Sequence, residues 1–118
     1  MVACGGGTPI FAAHYVTLTW TVPTNQVANG YINLYRGTTT GGETATPINN
    51  QPLPTTITTF QDNNVLANGK YYYIAKQCAV DQATSTEVCS GASNEASTTI
   101  PLASGDLGVP GILTAVAH

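Results

Sequence analysis

The feature that most constrains the fold is a two-residue alternation of apolar and polar side chains in several short segments. Val16, Leu18 and Trp20 alternate with threonines near the start of the chain. This pattern is typical of a β-strand with one face on a core, because successive side chains of a strand point to opposite sides. Turn dipeptides such as Asn29-Gly30 and Asn68-Gly69 separate the segments, and no helical period competes with them. The sequence therefore predicts an all-β fold of about seven short strands.

Length and charge limit what such a chain can be. Its 118 residues suit one domain with one hydrophobic core. Charged residues make up only 8% of the chain, and three basic side chains cannot neutralise a row of phosphates, so we expect no nucleic-acid partner. No apolar run approaches the roughly 20 residues that a membrane-spanning helix needs, so we expect no transmembrane segment.

The three cysteines are Cys4, Cys78 and Cys89. The polar stretch 81–87 predicts a turn between two antiparallel strands, and opposite positions on such strands bring Cβ atoms to roughly 4.5–5.5 Å. That separation is close to disulfide geometry, so we predict a Cys78–Cys89 bridge, with two buried free thiols as the alternative. A bridge implies an oxidising compartment.

Cys4 has no partner in this scheme. The run Met1-Val2-Ala3-Cys4, followed by glycines, looks like the end of a bacterial lipoprotein signal, although the upstream part of such a signal is missing. A lipid anchor and a thiol that links two molecules are the two roles that we consider for it.

Several runs, in the right order, resemble one known family. They are 16–20 with its Trp20, 32–42, the set Leu66, Gly69 and Tyr72, and 93–101. Together they resemble a fibronectin type III domain of a bacterial secreted subgroup. The resemblance covers roughly 16–101 and implies an immunoglobulin-like, two-sheet antiparallel β-sandwich that is secreted or on the bacterial cell surface. It also implies a corner, a chain turn between two strands, in which Leu66 and Gly69 precede a Tyr72 that points into the core.

This resemblance and the alternation together give a predicted core. Its members are Trp20, Ile32, Leu34, Ile57, Leu66, Tyr72 and Ile74. Continuing the alternation beyond Ile74 places Lys76 inward, where a charge is costly, so we expect a β-bulge near 75–77 that turns it outward. With Tyr72 inward, Tyr71 and Tyr73 point outward.

Outward Tyr71 and Tyr73 would join Tyr31 and Tyr35 of the neighbouring strand in a tyrosine face that stacks on a sugar ring or packs on a partner. Scattered tyrosines on an ordinary sheet are the alternative.

The ends of the chain differ from the family pattern. We divide the chain into an N-terminal extension with a short strand (1–14), a sandwich (15–101), and a linker with a tail (102–118). The tail looks like the first strand of a further domain, and its contact residues would be Ile112, Leu113, Thr114, Ala115 and Val116.

Three explanations of the tail are open. The chain is cut from a tandem array, or the tail folds back on its own domain, or it adds to the next subunit by β-augmentation. Folding back requires 102–108 to cross the domain, and that linker reaches at most about 25 Å. Donation is therefore favoured, and a head-to-tail contact that does not close gives a filament.

No set of residues suggests catalysis. His14 and His118 lack companions for a metal site and are expected to be solvent-exposed, and the six carboxylates are expected in turns or on outward strand positions. We therefore expect no enzyme activity, no cofactor and no metal.

Our functional hypothesis is an extracellular structural module that binds copies of itself head to tail, as the subunit of a fibre or surface layer. The alternative is a carbohydrate-binding or spacer module of a larger secreted enzyme, with a polysaccharide as its partner.

Overall fold

The computed structural model describes residues 14–118, which form an antiparallel two-sheet β-sandwich. The all-β prediction is confirmed. The described elements are β1 (Val16–Thr19), β2 (Tyr31–Gly37), β3 (Leu53–Pro54), β4 (Thr59–Asp62), β5 (Lys70–Asp81), β6 (Thr86–Cys89), β7 (Ala96–Thr99) and a 3₁₀ turn (Ser104–Asp106).

The two sheets are unequal. The small sheet contains β1 and β4, paired from Val16 opposite Asp62 to Thr19 opposite Thr59. The large sheet has the order β3-β2-β5-β6, and β7 also pairs with β5. The three prolines of 44–54 fit this arrangement, since β3 is a two-residue edge strand.

Strand β5 carries both β6 and β7 on one side, each along a different half. The connection between them stays on β5, because the backbone N–H groups of Ser90 and Ser93 donate to the carbonyls of Gln77 and Ala75, at 2.7 and 2.9 Å. The two serine hydroxyls accept from the N–H groups of the same two residues. Serine side chains thus replace backbone carbonyls in this irregular part of the ladder.

The core lies between the sheets. Ile32 and Leu34 of β2 are each 2% exposed. Another cluster consists of Val65, Tyr71, Tyr73 and Ile100, against which Val16 and Leu18 of β1 pack. The predictions for Ile32 and Leu34 are confirmed, whereas Ile57 is 40% exposed and lies outside the core.

The predicted orientation of β5 is wrong by one residue. Tyr71 and Tyr73 are buried, while Tyr72 and Ile74 are only partly covered on the opposite face. Since side chains alternate along a strand, this one-residue error exchanges the two faces. The predicted bulge is also wrong: β2 and β5 pair without interruption from Tyr31–Cys78 to Gly37–Tyr72, and Lys76 lies on the outer face without any distortion.

The corner before β5 uses Tyr71, not Tyr72. The Tyr71 hydroxyl accepts a hydrogen bond from the Leu66 N–H at 2.9 Å, and the Leu66 side chain is 74% exposed. Gly69 makes room for the ring, because a Cβ there would lie 2.9 Å from Tyr71 Cε2. Asn68, with φ 63°, supplies the left-handed turn just before it.

Candidate functional site

The small sheet has an open edge along β1. The backbone N–H of Trp20 donates to the Thr58 carbonyl at 3.0 Å, so Leu18 and Trp20 direct their backbone groups toward β4. Backbone direction alternates along an antiparallel strand, so Thr17 and Thr19 direct theirs to the other side. Among residues 14–118, no strand pairs with that side of β1. The edge can therefore accept an added strand.

A groove of about 650 Å³ runs between β1 and the segment that connects β6 to β7. Its lining is mixed, with apolar, small and polar residues, the last including Gln77, Ser90 and Asn94. Its lining includes Leu18, Trp20, Leu34, Ala75, Gly91 and Ala92. An added strand on the edge of β1 would cover this groove.

Trp20 has one buried polar atom without a partner. Its indole Nε1 is buried, and within the described part of the chain it finds no hydrogen-bond acceptor. A buried donor without an acceptor costs about 1–3 kcal/mol, so such atoms are rare in folded proteins.

The C-terminal tail, residues 107–118, is exposed at every position. Ile112 is 95% exposed, Leu113 94% and Val116 76%. The molecule measures 82 Å along its longest axis against 26 and 25 Å along the others. The tail therefore does not fold back on its own domain, which removes one of the three explanations considered for it.

The base of the tail is fixed to the start of β1. Both carboxylate oxygens of Asp106 lie 2.8 Å from Nε2 of His14. The backbone N–H of Ala103 also donates to Asp106, and this bond, together with His14, lowers the pKa of that carboxyl. His14 was predicted to be solvent-exposed, but its side chain is only 13% exposed in this pair. The tail thus leaves the body beside the first residues of β1.

No family model and no curated protein matches this chain. The function must therefore be argued from the residues of the site, because the fold alone does not determine it.

The predicted disulfide is present. Cys78 and Cys89 lie opposite each other on β5 and β6, with an S–S distance of 2.07 Å. Glu87 lies near both sulfurs, and the three form a group of potential metal-ligand atoms. Because the two sulfurs are bonded to each other, they are not available as thiolate ligands in this state.

The predicted four-tyrosine face does not form. Tyr31 and Tyr35 lie on the outer face of the large sheet, but Tyr71 and Tyr73 lie on its core face. Tyr31 donates to Glu87 at 2.5 Å, which raises the pKa of Tyr31 to about 12.

Tyr35 is only 6% exposed, and the Lys76 ammonium lies 5.3 Å from its ring centre. The outer face therefore offers little free aromatic surface for a sugar ring.

The buried carboxylate of Asp62 links the two sheets. It was predicted in a turn or pointing outward, yet it is 2% exposed. It accepts hydrogen bonds from Arg36 and from the Tyr73 hydroxyl at 2.8 Å. With both partners engaged in linking the two sheets, this carboxylate is not a free general acid or base.

Two predictions lie outside the described residues, namely the role of Cys4 and the short strand within 1–14, of which only His14 is described. In the described part of the chain, no helix is long and apolar enough to cross a membrane.

Proposed function

We propose that this protein is an extracellular structural module that assembles head to tail, each copy donating its C-terminal tail as an added strand to the next. The observation that carries the proposal is the pairing of two features in one molecule: a two-stranded sheet with an open edge, and an apolar tail exposed at every residue. The open edge of one copy would bind the tail of another.

Strand direction supports donation over self-closure. The His14–Asp106 contact places the start of the tail beside the start of β1. A tail that turned back onto its own β1 would therefore run parallel to that strand. A tail from another copy can instead enter near Trp20 and run antiparallel to β1, the direction in which β1 already pairs with β4. Antiparallel pairing is slightly more stable per residue.

The energetic gain would come from the tail's apolar side chains. Burying an exposed Leu or Ile contributes about 1.5–3 kcal/mol, and Ile112 and Leu113 are almost fully exposed in the single copy. The new backbone hydrogen bonds add to this. These contributions must exceed the entropy lost on association, estimated at roughly 4–15 kcal/mol.

The same observations support a fibronectin type III-like sandwich in a secreted or cell-surface bacterial protein. The antiparallel two-sheet arrangement agrees with the resemblance of 16–101 to that family. The Cys78–Cys89 bridge agrees with an oxidising compartment.

Deleting Gly108–His118 tests the proposal. We expect the full chain to form linear assemblies in electron microscopy, and we expect the shortened chain to remain monomeric and folded. The shortened chain keeps its open edge, so it can accept a tail but cannot donate one. Added in small amounts to the full chain, it should therefore cap assemblies and shorten them.

Two results would contradict head-to-tail donation. One is that the shortened chain forms the same assemblies as the full chain. The other is that the full chain remains monomeric at high concentration, which would favour a tail that serves a following domain in one longer polypeptide.

A further inference from the structure

The groove beside β1 identifies where the donated tail binds and in which register. We infer that it is a peptide-binding site for the tail of a second copy, with Leu113 against Trp20 and Ala115 against Leu18. This inference rests on the proposed function and adds the acceptor residues and the alignment to it.

The acceptor combines a polar backbone edge with a groove that holds two large apolar side chains. The polar edge is formed by the outward backbone groups of Thr17 and Thr19, whose side chains are exposed to solvent. The groove beside it offers apolar Leu18 and Trp20, together with polar lining residues such as Gln77 and Asn94. Such a site selects an extended segment in which every second side chain is apolar.

The two faces of the tail are not equivalent. One face carries Leu113, Ala115 and Ala117 and is apolar throughout. The other carries Thr114 between two apolar residues. Since the solvent side of β1 carries threonines, the face with Thr114 matches the solvent side and the face with Leu113 matches the groove.

Direction and face together suggest an alignment. With the tail entering near Trp20 and running antiparallel to β1, we place Leu113, the largest side chain on the face of Ala115 and Ala117, against Trp20. Ala115 follows beside Leu18, and Thr114 lies opposite Thr19 on the solvent side.

Crosslinking of the full chain tests this register. In a Cys4→Ser background, Thr19→Cys combined with Thr114→Cys should give a ladder of disulfide-linked oligomers under mild oxidation. The matched control, Thr17→Cys with Thr114→Cys, places the thiols two residues apart along the strand and should link much less. Equal linking by both pairs would overturn the register.

Tryptophan fluorescence gives a second measurement, because the chain has a single tryptophan, Trp20. The variant lacking Gly108–His118 is titrated with a peptide of sequence 107–118. We expect saturable binding and a shift of Trp20 emission to shorter wavelength.

A Leu113→Asp peptide should bind at least about tenfold more weakly, and Ile112→Asp should have a smaller effect.

The outcomes separate this inference from the proposed function. If deleting the tail abolishes assembly while Leu113→Asp and Ile112→Asp are equivalent and Trp20 emission is unchanged, donation stands and the groove is the wrong acceptor. If the peptide binds only after residues 1–13 are also removed, the chain's own N-terminal segment is the occupant and the inference is wrong. If tail deletion leaves assembly intact, the proposed function fails as well.

Discussion

Arg36 on β2 and Asp62 on β4 connect the two sheets, with Nη1 of the arginine 2.9 and 2.8 Å from the two carboxylate oxygens. The Tyr73 hydroxyl donates to the same carboxylate, so three strands meet at Asp62. Burial alone would raise the pKa of Asp62, but the bonds from Arg36, Tyr73 and the Asn64 N–H together lower it. The fold therefore favours the charged form of the Asp62 carboxylate.

Asp62→Asn should lower the free energy of unfolding at neutral pH by about 2 kcal/mol, because it removes the charge opposite a partly buried arginine. The control Asp81→Asn changes an exposed carboxylate and should alter stability by less than about 0.5 kcal/mol. Chemical denaturation of the two variants measures both values. Equally small losses of stability in the two variants would mean that the contact between Arg36 and Asp62 does not stabilise the fold.

The pH dependence of the Asp62 contribution follows from its lowered pKa. The folded state binds the Asp62 proton more weakly than the unfolded chain does, so the contribution is complete above the ordinary aspartate pKa. It is lost as pH falls through the lowered value. Acid titration of stability should show this loss in the native chain and not in Asp62→Asn.

The Tyr71 corner predicts a contrast between neighbouring tyrosines. Tyr71→Phe removes the acceptor for the Leu66 N–H and should cost about 1–2 kcal/mol. Tyr72→Phe removes a hydroxyl on the outer face, where the ring contacts the Lys70 ammonium at 5.4 Å, and should be nearly neutral. Thermal unfolding of both variants tests this. An equal loss in both would contradict the assignment of the corner to Tyr71.

The disulfide closes a short loop, since its cysteines are 11 residues apart in sequence. Replacing Cys78 and Cys89 together by alanine should cost about 2–3 kcal/mol by loss of chain constraint. Cys4→Ser serves as the control for thiol removal. Mass analysis without reductant should find Cys78 linked to Cys89; two free thiols there would contradict the oxidised state.

A pair of acidic side chains predicts a second pH effect. Oε2 of Glu43 is buried and has no donor among the described residues. The neighbouring Glu95 carboxyl raises the pKa of Glu43, and the Glu43 carboxyl, together with the Gly41 N–H, lowers that of Glu95. The folded state is therefore favoured when the two carboxyls together hold one proton.

The contribution of Glu43 is present below its ordinary pKa and is lost as pH rises through its raised folded value. Glu43→Gln keeps a donor for Glu95 at every pH, so it should remove this loss. Unfolding free energies measured between about pH 3 and 8 should converge for the two proteins at low pH and diverge at neutral pH. Parallel curves would show that the two carboxyls are not coupled.

The sequence predicted the strands better than it predicted the faces of β5. Tyr71, Tyr72 and Tyr73 are equally suited to either side, so the local pattern does not determine which is inward. Lys76 held the missing signal: a charged residue on the same side as Tyr72 argues that this side faces out. An inward Tyr72 requires a bulge to turn Lys76 outward, whereas the unbroken ladder between β2 and β5 contains none.

Contacts between distant residues could not be predicted in the same way. His14 and Asp106 are 92 positions apart, and no local pattern links them. Arg36 gave a partial signal, because it lies on the same side of β2 as buried Ile32 and Leu34 and so needs an anionic partner. Which carboxylate would meet it depends on how the two sheets pack.

The contact between His14 and Asp106 has a mechanical consequence for the proposed fibre. Pulling on a tail would apply force to each subunit next to the start of β1, while the tail received from the previous copy would pull along the same strand from its other end. The added strand would thus be loaded in shear along its length. Its backbone bonds would then break together under tension, which resists rupture better than peeling them apart one at a time.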